Sequence, residues 1–392
     1  MWKSIASNAL TLFIVVLVAL AGLLAWGKRQ YEGPGPLAQA ICFRVDRGAS
    51  FAAVSRALET QGAVSDARIL RIGADYSEKT QGLKFGSYLI QPGTSMADIV
   101  DQLTRGGQSS CGSEINFRIG VAAADVVLRA LDPATQRYEE VVKFDPATEA
   151  APAEYLAAVA DAGIRLRVTL AEGTTVWQAA EALKRADFLS GAIPALPPEG
   201  TLAPDSYEVA KGADRAALLA DMQARQTRLL DDLWASRAEG LPYRTKEEAL
   251  IMASIVEKET GVPDERGTVA SVFVNRLRQG MKRQTDPTVI YGVTKGQGVL
   301  GRGLRQSELR TATPWNTYVI DGLPPTPIAN PGRASIEATL NPPVTPYIFF
   351  VADGSGGHAF AETLAEHNAN VAKWRQIEAE RARNQPAQPS GN

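Results

Sequence analysis

The strongest constraint on this chain is an 18-residue stretch without a charge, residues 9–26, flanked by Lys3 on one side and Lys28 and Arg29 on the other. As a helix it would be about 27 Å long, close to the ~30 Å hydrocarbon core of a bilayer. A stretch this apolar on every side, at the N-terminal end, argues against the core helix of a soluble domain. A cleaved signal peptide competes, because Ala19, Leu20 and Ala21 resemble a small-residue cleavage site. Leu23, Leu24, Ala25 and Trp26 carry the apolar run past that site and favour an uncleaved anchor. The flanking charges do not set its orientation. The expected layout is a short cytoplasmic tail (1–8), a transmembrane anchor (9–27) and the bulk of the chain outside, resting mainly on the activity to which the C-terminal half points. Cys42 and Cys111 would then lie where a disulfide is permitted, although spacing alone does not show that their β-carbons meet.

Composition narrows the possibilities for the chain beyond the anchor. With 392 residues, 45% of them apolar, it can bury real cores in roughly two to three domains of about 150 residues each. Lys+Arg 41 against Asp+Glu 43 leaves no basic face for nucleic acid. Two His and two Cys are too few for a zinc or haem site, so no metal and no cofactor is expected. Any catalysis must come from carboxylates and hydroxyls.

After a linker (28–40) containing Gly33, Pro34, Gly35 and Pro36, a strand–turn–helix pattern occurs three times. Its turns are Gly48-Ala49-Ser50-Phe51, Gly93-Thr94-Ser95-Met96 and Gly173-Thr174-Thr175-Val176. Each turn has a Ser or Thr at the N-cap and apolar residues three and seven positions into the helix: Val54 and Leu58, Ile99 and Leu103, Ala179 and Leu183. The first two copies (41–107) resemble LysM modules, which bind N-acetylglucosamine-containing glycans. A purely architectural role explains them equally. Residues 108–163 form an insertion of unassigned role, with strands expected at 115–119 and 140–144 and an Ala-rich helix at 153–162. The third copy and a connection fill 164–244. The polar, Pro-containing tail, 384–392, is expected to lack structure.

Chemistry concentrates after Thr245, which with Glu248 forms a capping box for a helix ended by Gly261 and Pro263. On that helix Glu257 falls about 20° from Leu250 and about 40° from Ala253, on the apolar face. Glu259 is rotated by about 200° and should point elsewhere. A carboxyl at the end of an apolar face is unusual. Either it ion-pairs with a neighbour such as Arg276, or it is a general acid raised by desolvation, two pKa units corresponding to about 2.7 kcal/mol. A second helix is expected over 264–279, capped by Gly280. Beyond it come loops at 284–292, 316–318, 322–325 and 327–332, dense in amides, hydroxyls and aromatics. A strand at 347–352, a Gly-rich turn from Asp353 to His358, and a last helix with Glu366, His367 and Asn368 complete the chain. Amides bond sugar hydroxyls and aromatic faces stack on pyranose rings, so this concentration beside Glu257 suggests a carbohydrate cleft.

These ordered motifs, 253–260, 269–277, 284–292, 316–318, 322–332 and 350–358 with 366–368, make the region 202–374 closely similar to the endolytic murein transglycosylase (YceG-like) family of bacteria. Two departures are Ala203, where a larger apolar or aromatic residue is expected, and the 108–163 insertion. The resemblance implies an α+β protein with an N-terminal transmembrane helix, LysM-like strand–turn–helix repeats and a C-terminal α+β catalytic domain (245–383). It implies cleavage of the β-1,4 bond between N-acetylmuramic acid and N-acetylglucosamine within glycan strands, giving 1,6-anhydro ends. It assigns catalysis to Glu257, and the lining expected around it is Ser254, Asn275, Gln284, Asp286, Tyr291, Asn316, Tyr318 and His358. Expected partners are glycan strands, peptidoglycan synthases and, through the anchor, the bacterial inner membrane, with the bulk of the chain in the periplasm. Two other readings remain. One is a lysozyme-like hydrolase using Asp286 or Asp353 as second carboxylate; the other is a non-catalytic peptidoglycan-binding scaffold.

Overall fold

The computed structural model describes residues 2–105, 110–161 and 163–384. It is mixed α+β and opens with a helix, α1 (Trp2–Glu32). Its segment Leu10–Glu32 is, by length and composition, apolar enough to cross a membrane, and no residue of its apolar window is buried in the protein. The helix continues beyond the expected anchor into the linker. Tyr31 lies so close to Gly73 that a Cβ at 73 would stand 2.3 Å from its ring.

The chain divides into two compact units. The first comprises Met1–Ile115, Val127–Lys143 and Ala151–Leu166; the second comprises Asn116–Val126, Phe144–Ala150 and Arg167–Asn392. Elements of the first half, in order, are β1 (Ile41–Val45), α2 (Phe51–Thr60), α3 (Ala67–Tyr76), β2 (Gly86–Ile90), α4 (Met96–Arg105), β3 (Ser113–Ile119), β4 (Ala124–Asp132), β5 (Arg137–Phe144), α5 (Ala153–Ala160), β6 (Arg165–Leu170), α6 (Val176–Leu183) and β7 (Ser206–Val209). The second half adds α7 (Arg215–Ala235), α8 (Lys246–Glu259), α9 (Arg266–Arg278), α10 (Asp286–Thr294), α11 (Gln306–Arg310), α12 (Arg333–Leu340), β8 (Phe349–Ala352), β9 (His358–Ala361) and α13 (Leu364–Asn384). The expected unstructured tail lies outside the described residues, save Asn384 at the end of α13.

The three helix starts fall where the caps put them. Ser50 accepts from the Ala53 amide, Ser95 from the Asp98 amide, and Thr175 forms a capping box with Gln178. The first two copies are not separate modules. Strand β1 of one pairs antiparallel with β2 of the other, and Phe43, Leu58, Leu70, Ile90, Ile99 and Leu103 share one core. Cys42 and Cys111 form a disulfide in the same unit, with Cα atoms 5.8 Å apart. The 108–163 segment supplies three strands, β4 unforeseen among them, of a five-stranded sheet ordered β5-β4-β3-β6-β7.

In the second unit α8 is the central element: every residue from Ala249 to Val256 is buried, against α9, α12 and α7. Phe273 of α9 meets Phe350 of β8 edge-on at 5.7 Å. The third strand–turn–helix is stitched to the segment preceding α12. The Gly173 amide donates to the Asn330 carbonyl (2.9 Å), and the Asn330 amide returns a bond to the Thr174 carbonyl (2.7 Å). Residues 284–292, expected as loop, are largely α10; Pro287 sits in its first turn, where a missing N–H costs nothing.

Candidate active site

The end of α8 carries three charged residues in a row, and each goes to a different place. Glu257 Oε2 accepts from the Gly332 amide at 3.0 Å. Gly332 is the N-cap of α12, where the helix dipole favours a negative charge. A Cβ at 332 would stand 1.7 Å from Glu172 Oε1, so two carboxylates converge on this glycine. Burial, and then the charge of Glu257, push the Glu172 carboxyl upward. Lys258 reaches the Gly173 carbonyl (3.2 Å), and burial lowers its ammonium.

Glu259 has the surroundings of a proton donor. The Thr285 hydroxyl donates to its carboxylate, and burial pushes its pKa up to about 7. The bond from Thr285 and the positive fields of His358 and Arg276 work against that rise, while the charge of Asp286 adds to it. The Tyr318 hydroxyl donates to Asp286 Oδ1 (2.7 Å), and burial also raises Tyr318. Arg276, a conceivable partner for Glu257 by sequence, instead donates from Nε to the Ile348 carbonyl (2.6 Å) and from Nη1 to the Arg283 carbonyl. Its field falls on Glu259.

Of the expected lining, Asp286, Tyr318 and His358 lie within electrostatic reach of Glu259. Gln284 is exposed, its backbone in the left-handed region (φ 53°) and its amide bonded to the Thr317 carbonyl (3.2 Å). Ser254 and Asn316 are fully buried and their polar atoms are used inside the protein, and the Asn275 amide nitrogen is likewise committed to backbone. Ser254 is fully buried, donates to Ile251 and accepts from Ile328. Asn275 holds the carbonyls of Thr345 and Tyr347, and Asn316 those of Glu308, Leu309 and Thr311. The Tyr291 hydroxyl donates to Glu199, a carboxyl raised by burial. Asp353 accepts from the Ser355 amide and hydroxyl, both at 2.7 Å, within the β8–β9 turn.

Residues 43–373 match the model of the YceG-like family. The chain belongs to the YceG-like family. A protein of Bacillus subtilis (strain 168) named endolytic murein transglycosylase is 42% identical over 125 residues, covering 32% of this chain and 34% of the relative. A protein of the same name from Streptococcus pneumoniae serotype 2 (strain D39 / NCTC 7466) is 27% identical over 339 residues, covering 84% of this chain and 57% of the relative. The matches thus span a third to just over half the length of these YceG-like relatives. A crystal structure of a YceG-like protein from Listeria monocytogenes shares 25% identity and covers 84% of this chain and 99% of its own, with a TM-score of 0.44.

The Glu259 environment has a consequence for stability. Its pKa rises on folding from the usual 4.5 to about 7, so across that window the native state holds a proton that the unfolded chain has lost. This contribution is fully present below pH 4.5 and is lost as pH rises through about 7. Relative to Glu259→Gln, which does not titrate, the unmodified protein should lose about 3 kcal/mol between about pH 4 and about pH 8. Urea unfolding of both proteins at the two pH values measures it; a difference independent of pH contradicts the desolvated carboxyl.

Proposed function

We propose that this chain is a membrane-anchored endolytic peptidoglycan transglycosylase that cleaves the β-1,4 bond between N-acetylmuramic acid and N-acetylglucosamine inside glycan strands and leaves 1,6-anhydro ends. Family membership and the activity named for its relatives support the reaction class. The observation that carries it is Glu259, a half-buried carboxyl at the end of α8 that accepts from the Thr285 hydroxyl and whose desolvation raises it to about 7, so that it can donate a proton near neutrality. The helix pattern and the resemblance assign that role to Glu257. Glu259 is better supported, because its dominant influence is desolvation and because the charges of Asp286 and His358 act on it.

In this reaction Glu259 protonates the leaving O4 as the C1–O4 bond breaks, and O6 of the same muramoyl residue closes onto C1. The C6 hydroxyl gives up its proton as the O6–C1 bond forms. No water is consumed. The nucleophile is held in the substrate itself, which removes much of the entropic barrier of a second reactant. The Thr285 hydroxyl fixes the carboxyl's orientation. Helix α1 serves as a single-pass anchor, with the remaining chain on the outer face of the inner membrane, in reach of glycan strands and of the synthases that make them.

A lysozyme-like hydrolase is the second reading, favoured by one observation: the Asp286 charge acts on Glu259 and could serve a water-activating base. Asp353 lacks that support, its carboxylate being held in a turn by Ser355. Digestion of purified glycan strands with the full-length protein, followed by mass spectrometry, distinguishes the readings. Internal fragments lighter by one water than reducing-end products support the transglycosylase; reducing ends alone support the hydrolase; intact strands contradict both.

A further inference from the structure

We propose that His358, held by Glu265, takes the C6-hydroxyl proton in the transglycosylase reaction, so that acid and base are two groups rather than one carboxyl in two roles. The inference rests on that reading of the site.

Glu265 lies in the turn just before α9 and grips the first residue of β9 at two points. Its Oε1 accepts from the His358 amide at 2.9 Å, and its Oε2 lies 2.8 Å from His358 Nδ1. Gly357 makes room for this grip: a Cβ there would stand 2.4 Å from Glu265 Oε1. Both side chains are mostly covered, 16% and 20% exposed for His358 and Glu265. Phe350 meets the imidazole edge-on at 5.2 Å and limits its rotation. A carboxylate at Nδ1 selects the tautomer with the proton on that nitrogen and leaves Nε2 as the acceptor. Among the described residues Nε2 makes no hydrogen bond, nor is it among the sealed polar atoms. The imidazole is also close enough to Glu259 for its charge to act on that carboxyl.

The steps balance. The C6 O–H proton passes to Nε2 as O6 bonds to C1, the C1–O4 bond breaks, and the Glu259 proton goes to O4. An imidazolium and a carboxylate remain, and one proton transfer between them restores the starting state. The charged groups that touch the imidazole or act on it at longer range are Glu265 and Glu259, with Arg276 acting on Glu259.

The test uses full-length protein and purified glycan strands, with kcat, KM and the pH profile measured for His358→Gln, His358→Ala and Glu265→Gln, each compared with the unmodified protein in thermal melts. His358→Gln should lose about 10²-fold in kcat with KM within about threefold. The alkaline limb of its pH profile, set by Glu259, should be kept. Imidazole added to His358→Ala should restore part of kcat, which a packing role would not allow. Glu265→Gln should lose kcat by a smaller factor with KM within about threefold, and it decides the matter if the His358 variants do not fold. Anhydro ends from the unmodified protein, with kcat within about twofold in His358→Gln or with no imidazole rescue of His358→Ala, overturn this assignment alone. Reducing ends from the unmodified protein overturn the reading beneath it, and this assignment with it.

Discussion

Glu259→Gln is expected to abolish strand cleavage while leaving the fold intact. The amide is close in shape to the carboxyl and its carbonyl oxygen can still accept from the Thr285 hydroxyl, but it has no proton to give to the leaving oxygen. Loss of general acid catalysis costs about 10² to 10⁴ in rate, and the upper part of that range applies where a poor leaving group depends on protonation. Glu257→Gln should stay within about tenfold of the unmodified protein, because its carboxylate is committed to the Gly332 amide, a bond that the amide oxygen can still make. Initial rates of anhydro-end formation measure both. Loss confined to Glu257→Gln moves the acid to Glu257; equal loss in both means that neither carboxyl's surroundings identify the donor.

The second large effect is on stability. The Cys42–Cys111 bond closes a sequence separation of 69 residues that contains α2, α3, β2 and α4, nearly all of one core. In the chain-entropy account, a loop of that length stabilises by about 4 kcal/mol, mostly through the unfolded state. The double variant Cys42→Ala, Cys111→Ala should therefore unfold at lower urea by that free energy, and reducing agent should destabilise the unmodified protein by a similar amount while leaving the double variant unchanged. A difference under about 1 kcal/mol contradicts this. A structural disulfide also agrees with a chain whose bulk lies in an oxidising compartment.

How much of this was legible in the sequence depended on whether the signal was local. The caps at Ser50, Ser95 and Thr175 were readable because an N-cap needs only residues three apart in the chain. The sharing of one core by the first two copies was not, because it depends on the long-range pairing of β1 with β2. The disulfide was open for the same reason.

The carboxyls teach a sharper point. Periodicity assigns a residue to the inside or outside of a helix that is buried on one face. Helix α8 is surrounded: α7, α9 and α12 pack against it, and eight consecutive residues are buried. A rotation of about 200° from the apolar face therefore carries Glu259 into other protein rather than into water. The signal that could have found it was Glu259 itself, a second carboxyl on a helix with no polar side. Ser254, Asn275 and Asn316 were expected to line a sugar cleft because an amide or hydroxyl in a motif looks the same whether it bonds ligand or backbone. Buried carbonyls of irregular segments need donors, and these side chains supply them.

The central claim is that bond cleavage is completed by the substrate's own C6 hydroxyl, with Glu259 as acid and without water. Digesting glycan strands in heavy-oxygen water tests it most directly, because a hydrolase must place solvent oxygen on C1 and an internal transfer cannot. The account predicts anhydro ends free of label from the unmodified protein, and no new ends from Glu259→Gln. New ends that carry the heavy oxygen, with no anhydro product, would make the enzyme a hydrolase and the proposed mechanism wrong.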